Sequence, residues 1–361
     1  MKTLRKRSRR VQQAKTIAKT AMLVGGITTG VAAGLAVQAV NRRRRNRFDW
    51  TGRVVVITGG SRGLGFALAN ECARLGAAVA ICAREEKELI AAKEELEASY
   101  GTEVFQQTCD VTVKDDVDNF INVVLARFGR IDVLINNAGV ISVGPQNVQT
   151  LTDYQEAMDV MYWGVVYPTL AVLPYMQSRH EGRIANITSF GGKVSVPHLV
   201  PYCAAKFAAV GFSEGMHAEL LRDGVKVTTV CPGLMRTGSH LNAYFKGDNR
   251  KEFTWFAMGA SLPGVSIHAQ RAARKIVRAI EAGRAELIIT PQAKLAAWMH
   301  GLFPGLTSDV LGLVNRVMPD ATDNQQDRHL GRDSETAVTR SVVTAAGRKA
   351  ARKFHQLTET A

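Results

Sequence analysis

In the stretch PYCAAK, residues 201–206, a phenol and an ammonium stand four residues apart, with a small thiol and two alanines between them. On a helix, positions i and i+4 share one face, so Tyr202 and Lys206 can converge on a third group. A phenol beside a cation can exchange a proton with an oxygen held there. Alone, such a pair decorates a surface far more often than it does chemistry, and its meaning depends on what the rest of the chain brings to that face. Cys203, between the two, reads as packing and not as a nucleophile. The five cysteines (Cys72, Cys82, Cys109, Cys203, Cys231) are odd in number and scattered. They read as reduced thiols in a reducing compartment. None forms CxxC, and the eight histidines show no HExxH or HxH spacing, so no metal site is expected.

The elements that must position the pair begin at Arg53. RVVVI reads as a buried strand, GLGFALANECARLG as an amphipathic helix and AAVAIC as a second strand. A charged helix near 84–100 follows, then EVFQQT, a helix near 112–128, IDVLIN and one long helix near 151–178. RIANIT, a helix near 200–222, VKVTTV, a helix near 269–282 and AELIIT complete the series. Short β-rich apolar runs alternating with helical periods predict an α/β fold: a Rossmann-like, doubly wound parallel sheet of seven strands in a single domain, 51–290, with extensions at both ends. Between the first strand and first helix lies TGGSRGLG, residues 58–65. Glycines there let the backbone turn tightly and approach a pyrophosphate, while the helix points free N–H groups at the anion.

The net charge of +14 is not a property of this body. Residues 1–50 hold thirteen Lys/Arg against the single acid Asp49, which leaves +2 for the remaining 311 residues. A basic arm at 1–20 and a basic linker at 41–50 flank residues 21–40, which carry no charge. A helix of that length is about 30 Å long, enough to cross a bilayer, so 21–40 is a candidate transmembrane helix. Its Gly/Ala content makes insertion marginal, and cations on both sides leave its orientation open between spanning and lying in the interface. A mitochondrial presequence or a weak signal-peptidase site at Val37–Ala39 are the alternatives. The expected location is membrane-associated, with the domain on the cytoplasmic side. Nucleic-acid binding is not expected, because no aromatic residues interleave the arginine cluster. Residues 291–319 are apolar at helical spacing and are expected to pack against the body, with covering the site or touching a membrane as the alternatives. The polar tail 320–361 is given no conformation.

These motifs, in this order, resemble the classical short-chain dehydrogenase/reductase family: TGxxxGxG at 58–65, NNAG at 136–139, Ser189 thirteen residues before Tyr202, YxxxK at 202–206 and PGLMRT, matching PGxxxT, at 232–237. The extended relatives that act as sugar epimerases space the glycine loop differently. The resemblance covers about 51–290. It implies that Tyr202 is the acid/base, Lys206 its activator and ribose ligand, and Ser189 the donor orienting the substrate oxygen. It also implies a nicotinamide dinucleotide held by Thr58, Gly59, Ser61, Arg62, Gly63, Leu64, Gly65, Asp110, Val111, Asn137, Ala138, Gly139, Pro232, Gly233 and Thr237, with Tyr202 and Lys206. Where an NAD-preferring site would offer an acid, the chain reads CAREE, with Arg84; with Arg62 this suits the 2′-phosphate of NADP(H), NAD(H) being the alternative. An ammonium ~5 Å from the phenol stabilises phenolate by about 3 kcal/mol at an effective dielectric of ~20, roughly two units off a pKa of about 10.

One position departs from the family. Three residues before the glycine of VMYWG, where the family has an asparagine that holds a relay water, stands Met161. Proton delivery is therefore the step in question. After PGLMRT, apolar residues from Leu241 to Met258, among them Tyr244, Phe245, Phe253, Trp255 and Phe256, are expected to face a lipophilic substrate, with core or lid packing as the alternative. The implied activity is that of an NADP(H)-dependent carbonyl reductase or alcohol dehydrogenase tethered to a membrane; the rival is a non-catalytic cofactor-binding scaffold. A homo-oligomer is left open.

Overall fold

The computed structural model describes residues 48–262, 264–321, 326–341 and 344–357. The basic arm 1–20, the candidate transmembrane stretch 21–40 and the linker cations at 42–47 lie outside the described residues. The chain divides into Met1–Phe48 and Asp49–Ala361, and the sheet and its helices all belong to the second unit. Among the described residues no helix is long and apolar enough to cross a membrane.

Seven strands form the main sheet: β1 Val54–Thr58, β2 Ala78–Ala83, β3 Val104–Thr108, β4 Val133–Asn136, β5 Gly182–Ile187, β6 Val225–Cys231 and β7 Glu286–Ile288. All pair in parallel, in the order β7-β6-β5-β4-β1-β2-β3. VVVIT of β1 is buried along its whole length. A strand covered by helices on both faces must read as a continuous apolar run, which is why β1 shows no alternation. Strand order reverses between β1 and β4, and at such a switch point the carboxyl ends of the strands open a crevice.

The flanking helices are α1 Gly63–Arg74, α2 Glu86–Tyr100, α3 Lys114–Phe128, α4 Leu151–Met158, α5 Gly164–Ser178, α6 Val200–Leu220, α7 Asn249–Ser261 and α8 Ala269–Ala282. The expected single helix over 151–178 is interrupted. Residues Asp159–Trp163 form a π-turn, in which the Gly164 N–H reaches back five residues to the Asp159 carbonyl. A π-turn inserts one residue and rotates the helix beyond it; such insertions recur at functional sites. Met161 sits inside it.

One expectation for the C-terminal region is corrected, and the conformation left open for the tail is supplied. The pair α9 Pro291–Leu302 and α10 Pro304–Asn315 does not pack its apolar side chains on the body: only Ala293 is buried in α9 and nothing in α10. The polar tail, conversely, is ordered onto the body. Its helix α11, Ala345–Lys353, buries Gly347, Ala350 and Ala351, and Phe354 follows into the core. These four recur at spacings of three, one and three, a helical face written in small residues that overall polarity conceals. Upstream, His329–Leu330 pairs antiparallel with Tyr244–Phe245, and Arg328 meets Asp153 at 2.6 Å. Burial alone would raise the Asp153 carboxyl, but hydrogen bonds from Lys246, Thr150 and Arg328 hold it at about 2.

Candidate active site

The carboxyl ends of β4, β5 and β6 carry the residues of interest. Ser189 stands two residues past β5 in extended conformation, its Oγ accepting the Gly191 N–H at 3.0 Å. Pro201 is the second residue of α6, and Tyr202 and Lys206 fall in its first two turns on one face. The Gly191–Gly192 turn lets α6 come close: a Cβ at Gly191 would stand 3.1 Å from the Tyr202 ring. Ser189, Tyr202 and Lys206 are therefore brought together. The Ser189 side chain is near enough to favour the ionised Tyr202 phenol, and Lys206 Nζ lies 5.8 Å from the Tyr202 ring centroid.

The electrostatics differ from the expected two-unit lowering of the phenol. Burial pushes Tyr202 up to about 12, against a smaller lowering by the Ser189 side chain. Burial also pulls Lys206 down to about 8. Lys206 is 4% exposed and spends a proton on the Ile187 carbonyl at 3.0 Å. Desolvation of both groups outweighs the Coulomb stabilisation that a full ammonium would give at an effective dielectric of ~20. Met161 is buried against Ala157, Ala205 and Tyr202. Beside it, a Cβ at Gly139 would lie 3.8 Å from Lys206 Nζ and 3.9 Å from Met161 Cγ. The Met161 side chain thus stands in the neighbourhood of Lys206 Nζ, where a side-chain amide could bind water.

The glycine loop is clasped to β4. Asn137 Nδ2 donates to the Thr58 and Gly59 carbonyls, both at 3.0 Å, and Thr58 Oγ1 accepts from the Asn137 and Ala138 N–H groups at 3.0 and 3.1 Å. A Cβ at Gly65 would overlap the Gly59 carbonyl oxygen, so α1 can start this close to β1 only with glycine there. Leu64 is buried behind the loop. The Leu64 and Gly65 N–H groups of the first turn of α1 have no partner within the helix, the kind of helix N-terminus that suits an anion.

Arg62 does not stand ready as expected. Its guanidinium is 2.7 Å from Glu88, which also takes the Ser61 hydroxyl at 3.1 Å. Arg84 lies beyond the end of β2 in a cavity of about 270 Å³ with Asp110, Thr112, Gln155 and Asp159, and among the described residues no ion pair holds it. Asp110 accepts from the Thr112 N–H and hydroxyl at 2.9 and 2.8 Å, and Val111 packs on Gly164. Across the crevice, the Pro232 carbonyl accepts the Phe190 N–H at 2.8 Å and Gly233 abuts Thr290. Thr237 is buried, its hydroxyl on Ser239 at 3.0 Å. A glycine cradle and a helix N-terminus fit a dinucleotide's pyrophosphate, while Arg84 is, among the described residues, the one cation lining a cavity that also holds the carboxylates Asp110, Glu156 and Asp159.

The segment after PGLMRT is mostly core. Leu241, Phe245, Phe253 and Phe256 are buried with Val143, Leu199 and Cys203, which corrects the expectation that they face substrate. Ile141, Val196, Trp255 and Tyr202 remain partly exposed at that cluster's edge.

Sequence reasoning missed the tail's role. The Phe354 carbonyl takes the Gly63 N–H at 2.7 Å, His355 stacks on Phe66 with centroids 4.4 Å apart, and a Cβ at Gly63, at φ +62°, would overlap the Gln356 amide. No motif signals this; the only hint is the Ala/Gly/Phe face of α11. Sequence reasoning also passed over Asn136, whose amide donates to Thr169 and Asn186 at 2.9 and 2.8 Å, and Asn186, which continues to Ser213 at 3.0 Å. This buried chain fixes β4, β5 and α6 beneath the site.

The model of the short chain dehydrogenase family matches residues 53–244. A dehydrogenase/reductase SDR family protein 7-like of Anopheles gambiae is 33% identical over 75% of this chain and 86% of its own. An 11-beta-hydroxysteroid dehydrogenase A of Sesamum indicum is 30% identical over 77% and 79%. Among solved structures, an actinorhodin polyketide ketoreductase with NADPH superposes at a TM-score of 0.59 and 29% identity, covering 67% of this chain and 97% of the other.

Proposed function

Because this chain belongs to the short-chain dehydrogenase family and is an oxidoreductase acting on CH–OH/C=O, we propose that it is an NADP(H)-dependent reductase of a lipophilic carbonyl compound. The observation that carries the reading is the convergence of Ser189, Tyr202 and Lys206 at the switch-point crevice. The bound cofactor supplies hydride to the carbonyl carbon. The chain's own residues handle the oxygen. The Ser189 hydroxyl donates to it and fixes its position, and Tyr202, kept protonated by burial, delivers the proton as the charge develops. Lys206 takes part as a partly neutral amine near pH 8, able to hand a proton on to the phenol.

Preference for NADP(H) is supported by Arg84, which has a polar cavity before it and no acid ion-paired to it among the described residues. The family-level partner with NADPH, the actinorhodin ketoreductase, agrees with that direction. A lipophilic substrate is supported by Ile141, Val196 and Trp255 beside Tyr202. The uncharged run 21–40 between cation clusters supports a membrane tether, with the domain on the cytoplasmic side. The test is a panel of lipophilic aldehydes and ketones, followed by NADPH absorbance. Consumption by several of them, at least tenfold faster than with NADH, supports the proposal. Silence across the panel, and across the alcohols with NADP, refutes it.

A further inference from the structure

Among the described residues, the helical pair α9–α10 leaves most of its large apolar side chains exposed. Ten large apolar residues between Leu295 and Val317 are exposed, with Trp298 at 66%, Leu302 at 72% and Val317 at 85%. Over residues 291–318 only Lys294, Asp309 and Arg316 carry charge. A helix lying on a protein in water shows one apolar stripe and a polar back. A patch of this extent marks an interaction site.

We infer that α9 and α10 dock into the interfacial layer of a lipid bilayer as a second membrane contact, separate from residues 21–40. Lipid is favoured over a second copy because nearly every side of both helices is bare, where a protein partner would need one defined face. Each helix has twelve residues, about 18 Å, well short of the ~30 Å hydrocarbon core, so the pair lies in the interface and does not span. Two of the three charges, Lys294 and Arg316, are cations near the two ends of the pair, where lipid phosphates complement them. Stable membrane binding takes two signals, and the uncharged run at 21–40 with its flanking cations is the other.

The apolar surface continues to the site. Gln292 donates to the Gly264 and Val265 carbonyls at 3.1 and 2.8 Å, and the Ile267 N–H bonds the Leu234 carbonyl at 3.0 Å. Leu234, Leu262 and Val265 are themselves exposed, while Ala293 packs with Cys231 and Phe190, next to Ser189. Docking therefore sets the substrate side of the crevice against the lipid. This second step rests on the lipophilic reading above; the docking does not.

The test uses the full chain with vesicles of phosphatidylcholine and a minor fraction of phosphatidylserine, with and without brominated acyl chains, and reads tryptophan fluorescence. Brominated lipid is expected to quench the component that Trp298→Phe removes. Leu302→Glu combined with Leu306→Glu is expected to abolish that quenching while NADPH consumption with a water-soluble carbonyl stays within twofold. These side chains are exposed, so the substitutions leave folding intact. A vesicle-bound chain whose Trp298 component is unquenched overturns the inference. So does a chain that ignores vesicles, or one in which Trp298 is shielded without lipid and the mass doubles with concentration. Quenching needs no turnover, so its failure and a failure of the catalytic proposal are told apart.

Discussion

Replacing Lys206 by methionine is predicted to stabilise the folded chain near neutral pH, and the gain is predicted to fade as the solution becomes alkaline. Lys206 is buried, and desolvation lowers its pKa from 10.5 to about 8. Between those values the unfolded chain holds the proton and the folded chain does not, so stability rises with pH across the window from about 8 to 10.5. Below pH 8 the full penalty of burying the ammonium is present. At 1.36 kcal/mol per unit it amounts to about 3 kcal/mol, as an order of magnitude. Methionine removes that penalty but leaves the Ile187 carbonyl without its donor, which costs about 1–3 kcal/mol at every pH. The net gain at pH 7 is therefore small. The pH dependence is the cleaner quantity, because the carbonyl's loss cancels in it. The stability difference between variant and wild type is predicted to shrink by about 2 to 3 kcal/mol from pH 7 to pH 10. Urea unfolding of both proteins at the two pH values measures it. A difference that stays constant, or grows in favour of the variant, refutes the claim that the ammonium is held against its desolvation.

Three further perturbations address the cofactor end, the relay and the tail. Arg84→Ala is predicted to lower the NADPH-to-NADH ratio of kcat/KM about tenfold, about 1.4 kcal/mol, whereas Arg62→Ala has a smaller effect because Glu88 already answers that charge; an unchanged ratio in the Arg84 variant contradicts the assignment. Met161→Asn is predicted to raise turnover several-fold while lowering the melting temperature, since it offers water a ligand beside Lys206 but buries an amide among Ala157, Ala205 and Tyr202; slower turnover in a folded variant excludes proton delivery as the limiting step. A chain ending at residue 344 is predicted to unfold more easily, losing the burial of Phe354 worth about 2–3 kcal/mol, yet to bind NADPH more tightly in calorimetry, because the Gly63 N–H is released from the Phe354 carbonyl. Weaker binding by that chain means that the tail supports the loop and does not compete at it.

The seven-strand sheet was legible because buried parallel strands have to be continuous apolar runs, and VVVI, AVAIC and VLIN leave little room for another reading. The meeting of Ser189, Tyr202 and Lys206 was legible from the i,i+4 spacing and the motif order. What escaped the sequence depends on distance through space. The π-turn at Asp159–Trp163 has no compositional mark, since Met161 and Gly164 fit an ordinary helix equally well. The pKa directions at Tyr202 and Lys206 follow from burial, which a sequence does not print. Apolar residues near a site look alike in sequence whether they line it or pack beneath it, as Phe245 and Phe253 do. The tail was missed because Gly347, Ala350 and Ala351 are small, and a face built from such residues carries little hydropathy although it fits closely against Gly238 and Ser261.

Tyr202→Phe tests the account most directly. With NADPH deuterated at the transferable position and a carbonyl substrate drawn from the panel, mass spectrometry of the alcohol follows the deuterium while fluorescence follows cofactor binding. The account predicts that wild type places deuterium on the former carbonyl carbon and that the variant binds NADPH with unchanged affinity but turns over about 10²–10⁴-fold more slowly, the range for loss of a positioned proton donor. A variant that transfers deuterium at the wild-type rate contradicts it.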